Sequence, residues 1–395
     1  MFRRDLLAGA AGIGAAAVLP RFSIAQSAAS RVVKFIPQAD LAVIDPIVTT
    51  AYVTRHHGYM VWDTLYGIDA EYRPQPQMVE GHTVEDGGKR WTLTLRPGLK
   101  FHDGEPVRAR DCVASIRRWA QRDPLGQELM ARLAEISAPD DRTILIRLNK
   151  PFPMLPDALG KPATPVCFIM PERIARQDAN TPIKEIVGSG PFRFLREEWV
   201  PGVKVVYEKF QRYVPRDEPA SQAAGGKVVK IDRVESLYTP DAATAMNGLL
   251  TGEFDLLESP APDLVARMRR SRDVVVTPND PLGYILFCVI NHLHPPFDDV
   301  RVRRAIRDVL VQPDYMASVA LPGDWSECHA VFPCGLPGVR EFEPARQDME
   351  RAYRRISVAV KNIDSREHDI ADSDDYFQYH GGMVATVRAL TGRAP

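Results

Sequence analysis

The sequence predicts an α/β protein in which strands and helices alternate along the chain, and three observations carry that class. Strict apolar–polar alternation at Trp91, Leu93 and Leu95, and again at Ile144, Ile146 and Leu148, marks half-buried strands. Cys112, Ile116, Trp119 and Ala120, and later Val302, Ala305, Ile306, Val309 and Leu310, fall at the spacing of one helix face. Pro97-Gly98, Pro139-Asp140-Asp141 and Pro201-Gly202 supply the turn chemistry between such runs.

Each element has its own signal. Val32 to Ile36 reads as a first strand, followed by a loop that ends in Ile44-Asp45-Pro46. A helix-like segment with Tyr59, Val61, Trp62 and Leu65 then runs to Gly67. His56 and His57 within it are adjacent and point to different helix faces, so they do not form a metal pair. From Leu95 to Trp119 the chain reads as a strand end, a turn, a short second strand through Phe101, a polar turn at His102, Asp103 and Gly104, and a helix. The run Gly188-Ser189-Gly190-Pro191-Phe192 has the glycines of a phosphate cradle, but a strand with Phe192 and Phe194 follows it. With Val203, Val205 and Tyr207 beyond Pro201-Gly202, that strand makes a hairpin. Ala242 to Leu257 is a helix closed by Gly252 and then a short strand. Asp298 or Asp299 caps the helix that contains Val302, with Arg301, Arg303, Arg304 and Arg307 on its polar surface. His292 and His294, two apart before two prolines, are loop residues.

Composition narrows the function. A length of 395 with 45% apolar residues allows two or three domains. The 50 basic and 51 acidic residues leave no electrostatic footprint for nucleic acid or an anionic membrane. The 33 prolines are scattered, as in a chain with many loops. HExxH, GxSxG and Walker patterns are missing, which removes the commoner hydrolase and NTPase readings. Among Cys112, Cys167, Cys288, Cys328 and Cys334 there is no CxxC. Cys112 and Cys288 read as buried small hydrophobes, and only Cys328 and Cys334 are placed to pair locally, which their spacing does not require.

The first residues point to export. Arg3 and Arg4 precede Asp5, Leu6, Leu7 and a weakly apolar, Ala- and Gly-rich run to Leu19, and Ser23-Ile24-Ala25 places small residues at a cleavage site. The segment resembles a twin-arginine signal cut after Ala25; its apolar run is shorter than the about 20 residues of a membrane span.

Four landmarks occur in order: Leu95 to Trp119 with its Phe-His-Asp-Gly core, Gly188 to Phe192, Ala242 to Leu257, and Asn291 to Ala305. Together they resemble the large extracytoplasmic solute-binding proteins of peptide and nickel ABC transporters. Arg108 stands where that family usually has a capping Thr, Cys112 where it has Val, and Ile44 where an early Leu-Asp-Pro has Leu. The resemblance implies a two-lobed periplasmic binding protein of type II-like form, each lobe on a mixed sheet, closing by hinge motion on a solute. It implies a signal segment at 1–26, a discontinuous lobe I at 27–60 and 188–272, an inserted domain at 61–187, and the start of an incomplete second lobe at 273–340. Binding, with no catalytic residue, cofactor or metal, is the implied activity. The partners are a peptide or peptide-like solute and the ABC permease in the inner membrane, with a monomeric protein in the periplasm. The loop after Asp45-Pro46 and the strand around Tyr284 would line the cleft, with Thr50, Tyr52, Tyr284 and Asn291 as ligand contacts through hydroxyl, amide and ring.

Beyond about Arg340 the text changes. Residues 341–395, with an Asp-Ser-Asp-Asp-Tyr-Phe-Gln core before Gly381-Gly382-Met383, resemble a piece of the cobaltochelatase large subunit, so a corrin-chelatase fragment or fusion is the alternative function. On this reading the solute-binding part is truncated near Gly338. The sheet near Tyr284 lacks partners, the helix containing Val302 has an uncovered apolar face, and the tail packs loosely or not at all.

Overall fold

A computed structural model describes residues 31–278, 280, 282–283, 285, 289–336, 338–342 and 347–366, the last nine as backbone alone. Arg3, Arg4, Ala25, Tyr284 and residues 367–395 of the tail lie outside the described residues.

The first elements are β1 (Val32–Ile36) and α1 (Tyr52–Val61), then β2 (Tyr66–Ile68) paired antiparallel with β3 (Pro74–Pro76). The segment expected to stay helical to Gly67 therefore turns into a strand after Trp62. Gly67 serves packing: a Cβ there would come within 2.3 Å of the Ala223 carbonyl oxygen.

Next come β4 (Val79–Glu85), β5 (Arg90–Leu95), α2 (Ala109–Ala120), α3 (Pro124–Arg132), β6 (Leu133–Ser137) and β7 (Thr143–Leu148). The four strands form an antiparallel sheet in the order β4-β5-β7-β6. Its register matches the two alternating runs: Trp91 pairs with Ile146 and Leu93 with Ile144, so all four side chains enter one buried face beneath α2. The strand expected through Phe101 is reduced to a single bridge between Lys100 and Pro106.

After α4 (Leu155–Gly160) and α5 (Glu172–Ala175) the chain returns through β8 (Phe192–Phe194), β9 (Lys204–Lys209), β10 (Arg233–Leu237), α6 (Ala242–Thr251), β11 (Leu256–Leu257) and α7 (Pro262–Met268). These strands join β1 in a five-stranded sheet ordered β11-β1-β10-β9-β8. β1 is parallel to both β10 and β11, and the β8–β9–β10 side is antiparallel, so this sheet is mixed as expected. The other large sheet is not mixed but wholly antiparallel, because short turns rather than crossover helices join β4 to β5 and β6 to β7. One continuous core runs beneath both sheets, from Val205, Tyr207 and Val234 through Trp62 and Phe168 to Trp119 and Ile146.

The remaining elements are helical: α8 (Val300–Val309), α9 (Gln312–Val319) and α10 (Met349–Arg366). The described neighbours of Tyr284 form no strand. Asp299 caps α8 by accepting from the Arg301 N–H at 2.7 Å. The expectation of an uncovered α8 is corrected. α10 packs along it through Ala305, Ala352 and Ile356, and the buried Asp308 carboxylate of α8 accepts from Arg351 and Arg355 of α10. Ala352 and Ile356, the buried apolar positions of α10, both lie in its first half. Cys328 and Cys334 do form a disulfide, closing a short loop anchored by Gln312, whose side chain bonds both the N–H and the carbonyl of Cys328.

Candidate functional site

The site is framed by two buried anchors that sequence motifs supply. Asp45 is fully buried and does not face a ligand. Its carboxylate takes Arg118 from α2 at 2.7 and 3.2 Å, and accepts the N–H groups of Ile47 and Ile183 at 2.9 Å each. The loop after β1 is thereby fixed to α2 and to the backbone at Ile183. The second anchor joins two of the landmarks. His102 accepts the Gly188 N–H at Nδ1 (3.2 Å) and donates from Nε2 to the Gly190 carbonyl (3.0 Å), so it is the neutral Nε2–H tautomer. Burial lowers its pKa to about 4, against the opposite pull of the Gly190 carbonyl. Gly188 is obligatory here, since a Cβ would sit 1.8 Å from the Val61 carbonyl oxygen. The Phe-His-Asp-Gly motif is scaffold, with Asp103 capping the turn at Glu105 and pairing with Arg173.

These anchors present the carboxyl ends of the parallel strands β1 and β11, the place where open α/β sheets hold ligands. Glu258, immediately after β11, accepts from the Gln38 backbone N–H (2.9 Å) and side chain (3.4 Å) beyond the end of β1, and its Oε1 lies 3.0 Å from His56 Nδ1. Burial works to raise the Glu258 pKa, but the hydrogen bonds from His56 and Gln38, helped by the nearby Arg55 charge, outweigh it, and the net shift is downward. Arg55 Nη2 lies 3.2 Å from His56 Nε2, and its guanidinium stacks 4.4 Å from the centre of the Tyr52 ring. Thr164 donates to the Thr50 carbonyl at 3.2 Å, tying the loop to the segment between α4 and α5. The result is a rim of one carboxylate, one imidazole, one guanidinium, an amide and a ring, all partly exposed.

Of the residues expected to contact ligand, Thr50 and Tyr52 lie on this rim, both exposed. Asn291 is exposed on a separate turn, where its amide oxygen accepts from the Leu293 N–H at 3.0 Å, and no hydrogen bond among the described residues joins it to Thr50 or Tyr52. Sequence reasoning missed Gln38, Arg55, His56 and Glu258. The sequence offers His56 only as a metal-ligand candidate, whereas its partner is a carboxylate 202 positions away, beyond any spacing rule. His57, its neighbour, points inward, bonded to the Tyr207 hydroxyl at 2.9 Å between Trp62 and Phe194. Burial brings its pKa down to about 3, against the Ile44 carbonyl and the Asp45 charge.

Two open cavities of about 330 and 340 Å3 lie elsewhere, against the loop through Arg216 and Glu218. Arg216 there is committed to the carbonyls of Gln77 and Val79, which fix that loop to β4. Among the described residues no group of His, Cys, Asp and Glu is arranged to hold a metal ion, and no helix is long and apolar enough to cross a membrane.

The profile of the bacterial extracellular solute-binding proteins, family 5 (middle), matches residues 73–354, and that of CobN/magnesium chelatase matches residues 336–395. The two matches overlap at the start of α10. A probable peptide ABC transporter periplasmic-binding protein of Sinorhizobium fredii is 38% identical over 314 residues, covering 78% of this chain and 58% of that protein. The glutathione-binding protein GsiB of Salmonella typhi is 24% identical over 325 residues, 81% of this chain and 60% of its own. Among solved structures, the periplasmic binding protein DppA of Helicobacter pylori with the peptide STSA aligns at a TM-score of 0.67 and 22% identity, over 83% of this chain and 66% of that one. This chain thus spans about 58 to 60% of the length of these curated relatives. The structural likeness shows the fold, that of the two-lobed periplasmic binding proteins. With more than half its length inside the family profile and a 38% identical relative along 78% of it, the chain belongs to the bacterial extracellular solute-binding proteins of family 5.

Proposed function

We propose that this protein is the solute-capturing component of an ABC importer, working outside the cytoplasmic membrane and delivering a peptide or peptide-like solute to a permease, with no bond made or broken. The observation that carries this reading is the polar rim at the carboxyl ends of β1 and β11, in a chain 38% identical to a periplasmic-binding protein named for peptide transport. Similar proteins are named with glutathione, a short peptide and the dipeptide Met-Leu, all of which carry amide and carboxylate groups that such a rim can pair. Export through the paired arginines Arg3 and Arg4, with cleavage after Ala25, belongs to the same proposal, as does a monomeric state. Tyr284 and Asn291 remain proposed contacts from the far side of the cleft. The test is titration of the purified chain with short peptides, followed by tryptophan fluorescence and calorimetry. Saturable binding supports the reading, and its absence across di- to pentapeptides and glutathione overturns it.

A second reading rests on the match of residues 336–395 to CobN/magnesium chelatase. It predicts cobalt insertion into a corrin by the chain with its chelatase partners. We favour solute capture, because the family 5 match covers the greater length and runs through the first turn of α10.

A further inference from the structure

Resting on the solute-capture reading, the geometry points to Arg55 as the group that recognises a carboxylate on the solute, with His56 and Glu258 positioning it. Within the described residues the guanidinium makes two hydrogen bonds, from Nη1 to the Pro162 carbonyl at a long 3.4 Å and from Nη2 to His56 Nε2 at 3.2 Å. An arginine carries five N–H donors in a planar fork, so three remain. No carboxylate of the described residues lies within ion-pair reach of it, and the nearby Glu258 is held one imidazole away.

The orientation of the fork follows from the hydrogen-bond chain. Because Nε2 of His56 accepts from Arg55, the imidazole proton sits on Nδ1 and is donated to Glu258, whose carboxylate is fixed in turn by Gln38. The far face of the guanidinium rests on the Tyr52 ring. A group so held at both its edge and its face has lost its side-chain freedom before a ligand arrives, which favours affinity.

A second feature of the same place favours an anion. The ten-residue helix α1 begins at Tyr52, its N-cap position is taken by Ala51, no side chain caps it, and its first turn holds no acidic residue. The positive end of the helix dipole therefore lies one turn from the Arg55 guanidinium, with no acidic side chain in that turn to neutralise it. Cation, helix terminus and ring together suit a planar carboxylate with an apolar group behind it, as at the C-terminus of a peptide.

The test is calorimetric titration of the full chain with the dipeptide Met-Leu and with glutathione, each as the free acid and with its carboxylates amidated. The wild type should prefer the free acids by about 10- to 100-fold, the range of a charge-assisted bidentate pair. Arg55→Gln should bring the affinity for the acid down to that for the amide. Arg55→Lys should restore the preference only in part, since an ammonium lacks the fork. Glu258→Gln should weaken acid binding several-fold with a smaller effect on the amide, the split expected of a positioning residue. Equal affinity of the wild type for acid and amide, or a preference that survives Arg55→Gln, would overturn the inference. If neither probe binds the wild type in either form, solute capture itself is wrong.

Discussion

Replacing Asp45 by alanine tests the anchor on which the rim depends. The carboxylate is wholly buried and accepts from both terminal nitrogens of Arg118, itself 1% exposed, and from the N–H groups of Ile47 and Ile183. Removing it leaves a buried guanidinium without its counter-charge, at a cost of about 3–5 kcal/mol. Two backbone donors are orphaned at the same time. Against a total stability of about 5–15 kcal/mol, that is a large fraction. With a urea slope of about 2 kcal/mol/M, the unfolding midpoint should fall by about 2 M. Asp45→Asn, which keeps one acceptor oxygen, should lose less. Because Asp45 fixes the loop that carries Thr50 and Tyr52, any solute bound by the wild type should also bind more weakly to Asp45→Asn under folding conditions. The measurement is urea unfolding followed by tryptophan fluorescence. A midpoint change in Asp45→Ala worth under about 1 kcal/mol would show that the pair is not the anchor described, since that is what an exposed pair contributes.

Three further outcomes follow. His57 and His102 are held neutral by burial, at about 3 and about 4, below their ordinary value. Between those values and about 6.5 the unfolded chain binds more protons than the folded one, so stability is full above about pH 6.5 and falls as pH drops toward 4, by about 3 kcal/mol for each histidine. Urea midpoints measured across that window should slope accordingly, and His102→Asn should flatten the slope. Gly188→Ala, which drives a Cβ to 1.8 Å from the Val61 carbonyl oxygen, should lower Tm by several degrees or abolish folding, whereas Gly81→Ala, with nothing within 4 Å, should leave it nearly unchanged. Asp308→Ala should remove the carboxylate that Arg351 and Arg355 share and loosen α10 from α8, giving rapid tryptic cleavage at Arg351, Arg354 and Arg355 that the wild type resists, as read by mass spectrometry.

Sequence by itself determined the elements whose signals are local. Alternation at Trp91 to Leu95 and Ile144 to Leu148 marked strands because a pleated strand sends every second side chain into the core, and that same period sets their register. Gly252 closed α6 because its backbone is left-handed there, and Asp299 opened α8 because its carboxylate reaches an unpaired helix N–H. The order of such landmarks also carried the family. Only the tertiary structure decided the rest. Asp45 with Arg118, His102 with Gly188 and Gly190, and Glu258 with His56 are pairs 73, 86 to 88 and 202 residues apart, brought together by packing of separate sheets and loops. The fate of α8 turned on the same physics. Its amphipathic pattern announced an apolar face that needed cover, but the pattern of a helix says nothing about which later segment supplies it. That was settled by Ala352, Ile356 and two arginines of α10 meeting Ala305 and a buried carboxylate. Local propensity is written residue by residue, whereas a hydrogen bond across two hundred residues exists only once the chain between them has folded.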